Sequence, residues 1–233
     1  MALAAEGRPL ALLDIDRERL VAVGDEVLAH GADGVHTAVA DVTSEDDVAR
    51  AVADAVARHG PPVATFANAG IEVNRATHEM DRATWEHVIA VNLTGVFLTV
   101  KHALAALRVA GTRGAIVCTS SPSAFFGFAG GGNAAYGASK GGIASFVKSV
   151  AIDYAPYGIR VNAVIPGAID TPLIAATPSI GEPAAEQIPL GRLGRADEVA
   201  DVVTWLLSER ASYVTGTAVV CDGGLTARSV NEF

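Results

Sequence analysis

Tyr136-Gly-Ala-Ser-Lys140 sets a phenol and an ammonium four positions apart. On a helix, positions i and i+4 share a face, so both side chains can enter one pocket. A lysine cation beside a tyrosine hydroxyl favours the phenolate and draws the phenol pKa down from about 10. Tyrosine then becomes usable as a general acid or base. The same spacing is common on solvated helix faces, so its meaning depends on what flanks it.

Upstream, Ala115-Ile116-Val117-Cys118 is an apolar run ending in Thr119-Ser120-Ser121. Downstream, Arg160 to Ile165 ends in Pro166-Gly167. Both read as short buried strands closed by turn chemistry. The Tyr136 helix, expected over 134–154, therefore lies between two parallel strands. In such sheets ligands bind beyond the carboxyl ends of the strands, where Ser121 and Pro166-Gly167 fall. A further strand from Val63 ends in Asn68-Ala69-Gly70, and a helix ending near Val91-Asn92-Leu93-Thr94-Gly95 follows it. Other helices are expected from Asp16 to His30, behind Ser44, from Thr84 to Arg108 and from Glu198 to Leu207, with strands at 10–13, 35–40 and 218–221. The whole reads as one α/β domain over residues 1–233.

Together these pieces resemble the short-chain dehydrogenase/reductase family: Asn68-Ala69-Gly70, Asn92, Ser121, Tyr136-x-x-x-Lys140, Pro166-Gly167 with Thr171, and Asp222-Gly223-Gly224. The resemblance runs from about Leu3 to Leu225. It implies a Rossmann-like doubly wound parallel sheet and hydride transfer between a nicotinamide cofactor and a secondary alcohol or ketone. Tyr136 would be the general acid/base, and Lys140 would stabilise its phenolate and bond the nicotinamide ribose. Ser121 would hold the substrate oxygen, with Ser123 as the alternative chosen by counting back from Tyr136. Asn92 would anchor a relay water or, equally, distort its helix through side-chain hydrogen bonds. Asp14, followed by Ile15, would take the adenosine ribose hydroxyls and favour NAD over NADP, unless it only caps the next helix. Asp41 and Val42 would flank the adenine, Asn68, Ala69 and Gly70 would let backbone approach the cofactor, and Pro166, Gly167, Ile169 and Thr171 would line the carboxamide.

The front of the family pattern is expected to be missing. Its first strand and TGxxxGxG turn would precede the acid at Asp14, and only thirteen residues stand there. Met1 to Gly7 reads as the end of a helix closed by a glycine cap. The strands at Leu10 and Val63 would then each lack a neighbour or meet directly. A catalytically silent, shortened homologue that binds a ligand or protein partner is the competing expectation.

Hydrophobic residues make up 50% of the chain, charged residues 18%, and the formal net charge is −9. That balance argues against nucleic acid or anionic membrane as partner. No apolar stretch of about 20 residues is evident, and the expected setting is the cytoplasm. Cys118 and Cys221 read as buried thiols, with no metal site. Apolar helices at 84–108 and 134–154 suggest a homodimer or tetramer. Leu173, Ile174, Ile180, Ile188, Pro189 and Leu190, facing Phe125, Phe126 and Phe128, suggest a hydrophobic substrate.

Overall fold

In a computed structural model of the chain, the residues described are 1–128, 130–175 and 185–227. Its most deeply buried strands are β4 (Gly114–Thr119) and β5 (Ile159–Pro166). Their β-branched residues suit a sheet covered on both faces. Parallel pairing puts β3 (Ala64–Ala67), β4, β5 and β6 (Ala218–Cys221) side by side in that order. β1 (Leu10–Asp14) and β2 (Val35–Val39) pair in parallel as a separate two-stranded sheet.

Alternation along the strands splits the core. Ile116 and Cys118 point to one face with Val161 and Ala163, beneath α4 (Gly95–Ala110) and α5 (Ala134–Tyr154). Val96, Val100, Leu104 and Leu107 of α4 and Ile143 and Val147 of α5 complete that layer. Ala115, Val117 and Val164 point the other way, against Val203, Leu206 and Leu207 of α7 (Ala196–Leu207). Each fully buried Val, Leu or Ile among these contributes about 1.5–3 kcal/mol. This is the doubly wound α/β arrangement.

Around this body lie α1 (Arg17–Ala29), α2 (Glu45–His59), α3 (Arg82–Ile89) and the short α6 (Pro172–Ala175). Asp16, Ser44 and Asp81 cap α1, α2 and α3 by accepting backbone N–H bonds. The expected helix end near Asn92 is not one. α3 runs through a five-residue π-turn, Ala90–Thr94, into α4. Gly95 permits that passage, because a Cβ there would lie 2.8 Å from Val42 Cγ2. The continuous helix Arg82–Ala110 is long and apolar enough to cross a membrane by length and composition, contrary to the expectation of no such stretch. Its apolar side, however, packs in the core described above.

At the front, a 3-10 turn at Ala4–Glu6 is closed by Gly7 at φ 70, the expected glycine cap. Leu3 packs against the α7 side of the core. Among the described residues β1 pairs only with β2 and β3 only with β4.

Candidate active site

β4 delivers the site's central backbone. Its last residue, Thr119, offers a carbonyl to Lys140 Nζ at 2.9 Å, and Ser120 Oγ donates to the Lys140 carbonyl at 2.9 Å. Ser121 then caps a 3-10 turn, Pro122–Ala124, with its hydroxyl accepting Ser123 N–H at 3.2 Å. Proline at the first position of that turn fixes the chain's exit direction. Tyr136, one turn before Lys140 on α5, shares a side-chain hydrogen bond with Ser121. Ser123 instead bonds Ser121 Oγ and receives Asn133 Nδ2 at 3.4 Å. The geometry thus sets Ser121, rather than Ser123, against the phenol.

Lys140 is 2% exposed and lies 5.5 Å from the Tyr136 ring centroid. Burial penalises its ammonium and lowers its pKa to about 8; the buried Cys118 thiol and Glu72 act in the opposite direction. Burial likewise pushes the Cys118 thiol up to about 12. For Tyr136, burial also dominates and raises the phenol to about 12, with the Ser121 hydrogen bond lowering it and the Glu72 charge raising it. The expected drop of the tyrosine pKa is therefore reversed in this structure. Desolvation dominates, and the Lys140 ammonium is turned to the Thr119 carbonyl rather than to the phenol.

Asn92, wholly buried in the π-turn, ties this cluster to the β3 exit. Its Oδ1 accepts Ile71 N–H at 2.8 Å, and its Nδ2 donates to Ile71 O at 2.9 Å and to Ser139 Oγ at 3.1 Å. A π-turn often marks a functional position. Asn68 Oδ1 accepts the Thr119 hydroxyl at 2.8 Å, and Ala69 and Gly70 are exposed beside it. A Cβ at Gly70 would stand 3.3 Å from Asn92 Oδ1 and 3.5 Å from Lys140 Nζ, so glycine keeps that floor open.

The other strand ends reach the same side. Gly167 donates to Cys221 O, and a Cβ on it would strike Asp222 Cα at 2.7 Å. Asp222 accepts Gly224 and Thr226 N–H, which folds the Gly223-Gly224 turn, at φ 65 and 90, against Ile188, Pro189 and Leu190. Thr171 Oγ1 donates to Ile169 O, and Ile169 bridges to Gly194. Ile180 and the side chain of Leu173 lie outside what the structure describes. On β1, Asp14 Oδ1 accepts Asp16 N–H at 2.9 Å, while Asp16 itself caps α1. The capping role expected as Asp14's alternative belongs to Asp16. Ile15 is 67% exposed. Asp41 holds a local turn by accepting from Thr43 N–H and Oγ1.

A phenol–hydroxyl pair with a buried lysine, set at the carboxyl ends of a doubly wound sheet, now has relatives to be read against. A family model described as enoyl-(acyl carrier protein) reductase matches residues 1–226. The chain belongs to the short-chain dehydrogenase/reductase family. It is 42% identical to cis-4-hydroxycyclohexanecarboxylate dehydrogenase of Sinomonas cyclohexanicum, over 95% of this chain and 92% of that one. Identity to cyclohexanol dehydrogenase of an Acinetobacter strain is 39%, over 98% and 89%. A crystal structure of a short-chain type dehydrogenase/reductase from Mycobacterium marinum superposes with TM-score 0.93 at 32% identity, covering 97% of this chain and 89% of that one. The family match starts at residue 1, which does not support the expected shortening. Among the described residues, β1–β2 and β3–β6 remain two separate parallel sheets.

Dehydrogenases of the family use a nicotinamide cofactor, and the open floor at Gly70 beside Lys140 is a cradle that a side chain would crowd. Asp14 is exposed at the end of β1. A glycine-rich turn of the kind expected for a pyrophosphate has no counterpart among the described residues. Sequence reasoning missed Glu72, half-buried two residues after Gly70 and close enough to affect both Tyr136 and Lys140. The only signal was an acid beside a glycine exit.

Proposed function

We propose that this chain is an NAD(H)-dependent oxidoreductase that interconverts a hydrophobic secondary alcohol and its ketone, with Tyr136 as general acid/base. The observation that carries it is the Tyr136–Ser121 hydrogen bond one helical turn from a buried Lys140. A phenol with its pKa near 12 is protonated at neutral pH and suited to donate to a ketone oxygen. Ser121 would hold that oxygen in line, since a hydroxyl both donates and accepts. Lys140 would stabilise the phenolate left behind, at short range in a poorly solvated pocket. Bound nicotinamide would supply or take the hydride. Asp14 supports NAD, because a carboxylate facing the ribose repels a 2′-phosphate.

The substrate side is apolar. Phe126 and Phe128 stack edge to face at 5.4 Å between centroids, and Phe125 is 60% exposed beside them. Ile188 is buried and Leu190 largely open. Arg192 and Arg195 are engaged by Glu198 and Asp197 at the start of α7. Neither is left to meet an anionic substrate. A neutral ring-borne alcohol, of the kind named for the cyclohexanol relative, suits this lining better than the carboxylate-bearing ring named for the other.

Tyr136→Phe removes one oxygen and should cost at least about 10²–10⁴ in kcat while leaving the circular dichroism spectrum unchanged. Activity within about threefold of the parent on cyclohexanol with NAD would defeat the proposal. The separate front sheet favours a second reading, a silent homologue. Calorimetric titration with NADH separates the two, because micromolar binding rules the silent reading out.

A further inference from the structure

Ile71 is held at both its N–H and its carbonyl by the buried Asn92 carboxamide. The residue after it therefore leaves the β3 exit from a fixed point, with the neighbouring Gly70 facing Lys140 Nζ. That residue is Glu72, half-buried, with its carboxylate hydrogen-bonded to Asn74. We propose that Glu72 is a positioning residue whose charge sets the pH range over which Tyr136 and Lys140 work. The proposal rests on the reading of Tyr136 as general acid/base and adds what tunes it.

Tyr136 and Lys140 of α5 both feel the Glu72 charge, and the buried Cys118 thiol of β4 acts on Lys140 in the same direction. On the Glu72 loop, Arg75 lies 3.9 Å from Asp81, and His78 lies 3.7 Å from Glu79, both pairs at the surface. A carboxylate among these opposes the phenolate and favours the ammonium, so it raises both the Tyr136 and the Lys140 pKa. Burial in turn raises Glu72 itself. Removing its charge lowers both partners together. Tyr136 near 12 and Lys140 near 8 titrate as a coupled pair, so the limbs of the alcohol-oxidation profile belong to the pair and not to either group alone. Both limbs must therefore move to lower pH, whereas a merely structural change would lower the plateau and leave the limbs in place.

Glu72→Gln keeps the shape and the hydrogen bond to Asn74 while deleting the charge. The first readout needs no turnover: NMR titration of the Lys140 ε-methylene in 13C-labelled protein, assigned by its absence in Lys140→Met. The expected result is a midpoint lowered from about 8 by roughly half a unit or more, a matching acidward shift of the kcat/KM profile, and an unchanged melting temperature. Glu72→Asp should restore most of the midpoint. A Lys140 midpoint unmoved in Glu72→Gln overturns the proposal whatever the activity. A moved midpoint in a protein that turns over no alcohol supports the Glu72 coupling and refutes the oxidoreductase reading alone.

Discussion

β4 and β1 are both parallel strands ending in residues of the proposed site, and they are built in opposite ways. From Ala115 to Cys118, β4 is at most 3% exposed, and the residues after it hold Lys140 from two directions. β1 has no fully buried residue, exposes Ala11 and Asp14, and pairs on one side only. The difference fits what each end would do under the proposed function. Proton transfer needs groups fixed within a few tenths of an ångström and poorly hydrated, which only a packed core provides. Recognition of a ribose needs one carboxylate at a surface edge, and that tolerates a loosely buried strand.

The largest expected effect follows from the strain that this arrangement stores. Burial pushes the Lys140 pKa down to about 8 from an ordinary 10.5, so the folded state resists its charge. The penalty is present in full below pH 8, shrinks as pH rises through the folded pKa, and is gone above about 10.5. Lys140→Met should remove it while leaving the Thr119 carbonyl short of one donor. A net stability gain of about 1–2 kcal/mol at pH 7 is expected, accompanied by at least a hundredfold loss of kcat. Urea melts at pH 7 and pH 10 check the sign, which requires the gain to diminish at the higher pH. A Lys140→Met protein less stable than the parent at pH 7 would show that the ammonium is well solvated by its neighbours. The contrast between the two strand ends would then collapse.

Local spacing made much of this half legible. The Tyr136–Lys140 pair, α5 at Ala134–Tyr154 and β6 at Ala218–Cys221 follow from periodicity and turn residues within a few positions. Ser121 against Ser123 did not, because the choice is made by a 3-10 turn that directs one hydroxyl at Tyr136 and the other at Asn133. Nor was the direction of the tyrosine pKa readable. Adjacency to a lysine is a sequence fact, but desolvation depends on every element that closes over the phenol. Glu72 escaped for the same reason, since its placement depends on Asn92, a residue twenty positions later whose partner is the backbone of Ile71. At the front, sequence located Asp14 at a strand end and assigned the cap ambiguously, which the Asp16 contacts to Glu18 and Arg19 resolve.

A smaller effect tests the packed half where no titration is involved. Gly167 leaves β5 under the backbone of Asp222, at a distance that a methyl group cannot share. The backbone and Cβ of Asp222 leave little room to yield, so Gly167→Ala should cost about 1–3 kcal/mol through overpacking. Because Asp222 shapes the turn that supports Ile188 to Leu190, KM for a hydrophobic alcohol should rise with the loss of stability. Unchanged melting together with an unchanged KM would mean that the Pro166-Gly167 exit is looser than its neighbours.

The smallest expected effect belongs to the exposed strand. Asp14 engages Asp16 N–H at the surface, and surface substitutions away from caps and cores stay within about 0.5 kcal/mol of the parent. Asp14→Ala should therefore melt almost like the parent. Its effect should appear in cofactor choice, because removing the carboxylate takes away both a ribose partner and the repulsion of a 2′-phosphate. The ratio of kcat/KM for NAD over NADP should fall by about tenfold, or 1.4 kcal/mol, with the pH profile unmoved since Tyr136 and Lys140 are untouched. The two measurements belong together. A large loss of stability would make β1 part of the rigid frame, and an unchanged ratio would take Asp14 out of the ribose site.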